Sequence, residues 1–145
     1  MKMQFEDTII DLDKIECIAL NSVCWIGGPL SYNITVFLKD ESFDFFKTRQ
    51  HSAILNIYEE ILKSLLSTGK KNYAKIGEFI VNLNKLERCR NQSNSLGQHR
   101  IKLEFKNGKT FESDYGFDSK NCDEDYKNYK KQLVAYISSS QNHEQ

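Results

Sequence analysis

A ten-residue stretch near the start of the chain is repeated in its second half. Residues 8–17 read TIIDLDKIEC and residues 79–88 read FIVNLNKLER, and most aligned positions are identical or chemically close. The clearest difference is that Asp11 and Asp13 of the first copy become Asn82 and Asn84 of the second. Such a repeat predicts a duplicated fold if the elements that follow it are repeated as well.

Each copy continues with a run in which apolar and polar residues alternate. The alternating apolar residues are Ile34, Val36 and Leu38 in the first copy, and Ile101, Leu103 and Phe105 in the second. Alternation with a period of two predicts strands that have one side on a core and the other in water. Asn107-Gly108 predicts a tight hairpin after the second run, because both residues accept a positive φ angle.

Each copy then ends in a pattern with the period of a helix. The apolar positions on one helical face are Ile54, Tyr58, Ile61, Leu62, Leu65 and Leu66 in the first copy, and Tyr126, Tyr129, Leu133, Tyr136 and Ile137 in the second. Asn121, with Glu124 three residues later, has the spacing of a capping box at the start of the second helix.

We therefore predict an α+β fold made of two tandem β-β-β-α repeats, which together form one compact body with about six antiparallel strands and two helices. The first repeat covers residues 1–69 and the second covers residues 70–145, with residues 138–145 as a polar, frayed tail. This order of elements resembles the PUR repeats and the Whirly group of single-strand nucleic-acid binders, and less closely the pleckstrin-homology-like domains. The resemblance concerns the order of elements alone and implies no functional residues. Side-by-side and intertwined packing of the repeats both remain open.

The composition is that of an ordinary globular protein, with 39% hydrophobic and 28% charged residues. No apolar run approaches the roughly 18 residues of a membrane span, and the start MKMQFEDTII lacks the apolar segment of a signal peptide. We therefore expect a cytoplasmic protein that does not enter a membrane. The scattered cysteines contain no C-x-x-C pair and are expected to be reduced thiols: Cys17, Cys24, Cys89 and Cys122.

No catalytic motif is present in the sequence. The signatures of serine hydrolases, zinc proteases, P-loop proteins and dinucleotide-binding folds are absent. A Cys–His nucleophile pair could be assembled from Cys89 and His99, which flank one predicted hairpin, but a polar loop beside a half-buried thiol is the favoured interpretation of that pair. We predict that the protein is not an enzyme and that it holds no cofactor and no metal.

The charges are unevenly distributed although the net charge is zero. Residues 1–69 hold 6 basic and 10 acidic side chains, residues 70–110 hold 10 and 3, and residues 111–145 hold 4 and 7. A basic stripe on two strands of the second repeat predicts one alternative function, the binding of single-stranded nucleic acid. The residues of this stripe are Lys85, Arg88, Arg90, Arg100, Lys102 and Lys106.

The first long loop also differs between the copies. Residues 21–32 read NSVCWIGGPLSY, whereas residues 90–99 read RNQSNSLGQH, which is polar and expected to be mobile. Tryptophan and tyrosine on a rigid support are typical of protein interfaces. Our main prediction is a non-catalytic binding protein of the immunity, inhibitor or adaptor type, with homodimerisation as another use of the same surface. The predicted contact residues are Trp25, Ile26, Tyr32 and Phe37, with Asp11, Asp13 and Glu16 as an acidic edge that steers the partner.

Overall fold

The computed structural model describes residues 1–24, 26–67 and 72–143, with side chains in the last helix described as far as residue 139. The chain divides into two compact units, Met1–Thr68 and Gly69–Gln145. The described residues form ten strands and two α-helices, so the predicted α+β class is confirmed. None of the helices described is both long enough and apolar enough to cross a lipid bilayer.

The first unit contains five strands followed by a helix. A short hairpin of β1 (Lys2–Phe5) and β2 (Thr8–Asp11) leads through a 3₁₀ turn, Leu12–Lys14, into an antiparallel meander. The meander consists of β3 (Cys17–Cys24), β4 (Leu30–Phe37) and β5 (Ser42–Thr48). The helix α1 (His51–Ser67) packs on β4 and β5.

The second unit has the same order of elements. Its hairpin consists of β6 (Tyr73–Ile76) and β7 (Phe79–Asn82). Its antiparallel meander consists of β8 (Leu86–Ser93), β9 (His99–Phe105) and β10 (Thr110–Gly116), and it is followed by α2 (Ser119–His143). Each unit thus has five strands where the sequence predicted three, so the described residues contain ten strands rather than about six.

A side-chain turn accounts for much of this difference, because it divides each stretch that was predicted as a single strand. Asp11 Oδ1 accepts the backbone N–H of Asp13 at 3.0 Å, and Asn82 Oδ1 accepts the N–H of Asn84 at 3.0 Å. An Asp or Asn side chain that bonds the backbone two residues later competes with the strand ladder. The strands β2 and β7 therefore end at these two residues.

The short hairpins were missed because each of their strands has only four residues. Both hairpins turn through two residues, and the first residue of each turn has a positive φ angle. That residue is Glu6, with φ 52°, in the first unit and Gly77, with φ 58°, in the second.

The two helices follow the predicted faces but differ from the prediction at their ends. The residues α1 buries are Ile54, Tyr58, Ile61 and Leu65. The start of α2 is held by Asp118 rather than by Asn121, because Asp118 Oδ1 accepts the N–H of Asn121 at 3.0 Å. The helix continues to His143 and so includes most of the segment that was predicted to be a frayed tail.

Candidate binding surfaces

The tip of the β3–β4 hairpin, residues 23–30, exposes apolar side chains. Ile26 is fully exposed, and Val23 and Leu30 are 38% and 43% exposed. Trp25, the predicted anchor, lies outside the described residues. The hairpin tip thus presents aliphatic side chains to solvent. The same segment of the sequence carries Trp25, the single tryptophan of the chain.

The two strands below the hairpin tip are paired along their full length. The antiparallel register runs without a break from Cys17 opposite Phe37 to Cys24 opposite Leu30. Gly27 has a φ of 75°, a conformation that glycine adopts without steric cost. Tyr32 is half-buried beside the start of α1, where its ring centroid lies 5.0 Å from that of His51. The hairpin tip therefore stands on an ordered support.

The other predicted contact residues lie at the opposite end of β3. Phe37 is paired with Cys17, seven residues along the strand from Cys24, which corresponds to about 23 Å at the rise of a β-strand. Asp11 and Asp13 precede β3 in the chain and lie in the turn that ends β2. Ile26 and Tyr32 are therefore not brought together with Phe37 and the acidic residues.

The predicted acidic edge is wrong for one of its three members. Glu16 is only 3% exposed, and its backbone N–H donates to the carbonyl oxygen of Phe37 at 2.9 Å, so this residue is part of the interior. Asp11 is half-buried, and the N–H of Asp13 that it accepts holds the pKa of its carboxyl below the ordinary value. Of the three, only Asp13 is exposed.

The basic residues lie on the outer face of the β8–β9–β10 meander, but most of them face carboxylates. Glu104 accepts hydrogen bonds from Arg88 and Arg90, and the ammonium of Lys102 lies 4.0 Å from the same carboxylate. The hydrogen bond from Arg88 is the main reason that the pKa of Glu104 lies below its ordinary value. Arg100 contacts Glu112 at 3.3 Å.

This outer face is therefore close to neutral. The strand register places Glu112 opposite Lys102 and Asp114 opposite Arg100. Four cations on β8 and β9 thus share the face with three carboxylates on β9 and β10: Arg88, Arg90, Arg100 and Lys102 against Glu104, Glu112 and Asp114. Lys85 and Lys106 lie beyond the ends of these strands, where the N–H of Lys106 donates to the carbonyl oxygen of Lys85 at 2.9 Å.

Cys89 and His99 do not form a nucleophile pair. Cys89 lies opposite Leu103 on the buried side of the meander, whereas His99 lies opposite Ser93, four residues further along β8. That separation along the strand is about 13 Å. Burial raises the pKa of the Cys89 thiol to about 12, so the reactive thiolate is scarce at neutral pH.

A polar groove that the sequence did not reveal lies at one end of the same outer face. It has a volume of about 380 Å³, and its lining includes Gln92, Gln98, His99, Arg100, Glu112 and Asp114. The turn beside it, predicted to be mobile, is held by Asn94, whose Oδ1 accepts the N–H groups of Leu96 and Gln98 at 3.0 Å. Only the strand register brings these residues together, which is why no sequence motif indicated the groove.

Comparisons with protein-family models, with curated proteins and with solved structures gave no match to this chain. Three surfaces thus remain as candidates for function: the apolar hairpin tip, the nearly neutral charged face and the polar groove. The first belongs to the first unit, and the other two belong to the second unit.

Proposed function

We propose that this protein is a non-catalytic binding protein that contacts a protein partner through the tip of its β3–β4 hairpin. The observation that carries the proposal is the exposure of Val23, Ile26 and Leu30 within eight residues of chain. Val23 and Leu30 lie on opposite faces of the hairpin, because Leu30 pairs with Cys24, so a partner would enclose the tip rather than cover one side of it. Immunity proteins, inhibitors and adaptors are examples of proteins that act in this way.

The absence of charge along the hairpin supports a protein partner. No residue from Cys17 to Leu38 is charged, whereas the equivalent hairpin of β8 and β9 carries Glu87, Arg88, Arg90, Arg100, Lys102 and Glu104. The buried centres of protein interfaces are depleted of charged residues, because removing an ion from water is costly. A partner can therefore cover the hairpin tip without desolvating an ion on this side.

The paired strands below the hairpin tip support the same proposal. An interface that must order a loop loses part of its binding free energy to conformational entropy. Here the strand pairing continues as far as Cys24 opposite Leu30, so the two strands that support the tip are already paired. In this proposal the contact is confined to the hairpin tip, and the acidic turn of Asp11 and Asp13 is not part of it.

The proposal is tested by using the chain as bait in an extract of the cells that produce it. Ile26→Asp places a charge on the hairpin tip, and Leu96→Asp is the matched control, because Leu96 is 73% exposed in the equivalent turn of the second unit. We expect the wild type and Leu96→Asp to retain the same protein, and Ile26→Asp to bind it about 30-fold more weakly or not at all. Equal retention by all three baits would contradict the proposal.

A second copy of this chain is the other occupant that the hairpin tip could accept. Sedimentation of the purified wild type and of Ile26→Asp separates the two occupants. If the wild type is a dimer and Ile26→Asp is a monomer, the occupant of the hairpin tip is a second copy of this chain rather than another protein. A monomer in both cases agrees with a separate partner.

A further inference from the structure

The polar groove of the second unit has the arrangement of a ligand site. Its floor is a row of three residues on adjacent strands. Arg100 on β9 lies in the middle, opposite Gln92 on β8 and Asp114 on β10. Glu112 lies on one side of this row, on β10, and His99 lies on the other side, on β9. The volume of about 380 Å³ lies within the range of small-molecule sites, which begins at about 300 Å³.

Three side chains in this groove, Gln92, Arg100 and Asp114, keep most of their hydrogen-bonding capacity within the described part of the chain. Arg100 gives a single N–H to Glu112, at 3.3 Å, and Asp114 uses one oxygen to accept the N–H of Gly116 at 3.0 Å. The other guanidinium N–H groups, the second oxygen of Asp114 and the amide of Gln92 have no partner among the described residues. Donors and acceptors thus alternate across one small concave surface.

The mixture of charges selects the class of ligand. Glu112 and Asp114 oppose an anion such as phosphate, and Arg100 opposes a cation. An apolar ligand would cover polar groups without pairing them, which is costly. A hydroxyl group both donates and accepts, so adjacent hydroxyls on a ring can pair with the guanidinium fork of Arg100 and with the carboxylate of Asp114.

An exposed aromatic ring borders the same end of the sheet. Phe117 is 73% exposed and directly follows Gly116, the residue that bonds Asp114. Its ring would lie 3.9 Å from a Cβ atom on Gly97, in the turn next to the groove. Such a ring offers an apolar face on which the C–H face of a pyranose can pack. We propose that this groove binds a small neutral saccharide.

The test is a titration of the full-length chain, followed by ¹⁵N–¹H correlation spectra. The probes are maltose, lactose and N,N′-diacetylchitobiose, with sodium phosphate and glycine representing an anion and a zwitterion. We expect saturable shifts of the Gln92 and Gln98 side-chain amide signals with at least one saccharide, and none with phosphate or glycine. Arg100→Gln should lower the affinity about tenfold or more, because it removes the guanidinium fork.

The control variant is Arg88→Gln, which removes a cation from the same face but from a position that bonds Glu104. This variant should bind the saccharide as the wild type does. The proposal is overturned if no saccharide gives saturable shifts, if phosphate or glycine gives them, or if Arg88→Gln and Arg100→Gln lose affinity equally. An unchanged circular dichroism spectrum of Arg100→Gln assigns its loss of affinity to the groove rather than to unfolding.

Discussion

Asn82 accepts the backbone N–H of Asn84 at 3.0 Å, just as Asp11 accepts that of Asp13 in the first unit. The two copies of this turn differ in burial, because Asn82 is only 1% exposed whereas Asp11 is half-exposed. Asn82 Oδ1 also accepts the side-chain amide of Asn72 at 3.1 Å. An ionised carboxylate is costly to bury, so the change from aspartate to asparagine follows from the burial of the second turn.

Substitutions at Asn82 should therefore be more damaging than substitutions at Asp11. Asn82→Ala leaves the N–H of Asn84 and the amide of Asn72 without their acceptor, and should lower the free energy of unfolding by about 1–3 kcal/mol. Asn82→Asp keeps the acceptor but buries a charge, so it should also lower the free energy of unfolding. Asp11→Asn keeps the turn on the surface and should change that free energy little. Urea unfolding at neutral pH measures all three variants. Wild-type stability of Asn82→Asp would contradict this explanation.

Gly77 is required for close contact between the β6–β7 hairpin and β10. Its φ angle is 58°, and a Cβ atom at this position would lie 2.2 Å from Ser113 Oγ. Gly77→Ala should lower the free energy of unfolding by more than about 1 kcal/mol, because backbone strain and a steric clash act together. Gly108→Ala is the control, since Gly108 has a φ of 90° but nothing within 4 Å of its Cβ position. Equal losses of unfolding free energy in the two variants would show that the contact with Ser113 does not contribute.

The buried thiol of Cys89 should make stability depend on pH in the alkaline range. Burial raises the pKa of this thiol from 9.0 to about 12. Between these values the unfolded chain has released the proton and the folded chain still holds it, so the free energy of unfolding falls as the pH rises. Cys89→Ala should show a shallower fall than the wild type in urea unfolding from about pH 9 upwards. Parallel curves would show that Cys89 does not contribute.

The nearly neutral outer face of the second unit predicts weak binding of nucleic acid. Glu104 faces three cations, and its replacement in Glu104→Gln leaves Arg88, Arg90 and Lys102 with one carboxylate fewer. We expect no gel shift of single-stranded DNA or RNA by the wild type at low salt, and a salt-sensitive shift by Glu104→Gln. A salt-sensitive shift by the wild type itself would favour the nucleic-acid alternative.

The parts of the fold that the sequence predicted are those that local chemistry determines. A hairpin does form at Asn107-Gly108, but of these two residues only Gly108 has a positive φ angle, and Asn107 Oδ1 instead accepts the N–H of Lys109 at 3.0 Å. The buried face of α1 follows its helical period. The end of β2 at Asp11 was not apparent in the sequence, because apolar residues continue across the turn. These apolar residues also differ in burial, since Ile9 is exposed whereas Leu12 is buried.

The surfaces were harder to predict, because they depend on which strands lie side by side. The basic residues of β8 and β9 are visible in the sequence, but their neutralisation by Glu112 and Asp114 requires the register with β10. The same register creates the polar groove around Arg100. The burial of Glu16 could not be foreseen either, since glutamate is seldom buried in a folded protein.

The most direct test of the central claim, a protein contact at the tip of the β3–β4 hairpin, is photo-crosslinking from that tip. A photoreactive amino acid replaces Ile26 in one version of the chain and Leu96 in the other, and both are irradiated in an extract of the producing cells. Mass spectrometry then identifies the adducts. We predict a discrete adduct with a different protein from position 26 and none from position 96. No adduct from position 26, the same adducts from both positions, or an adduct containing only this chain would contradict the claim.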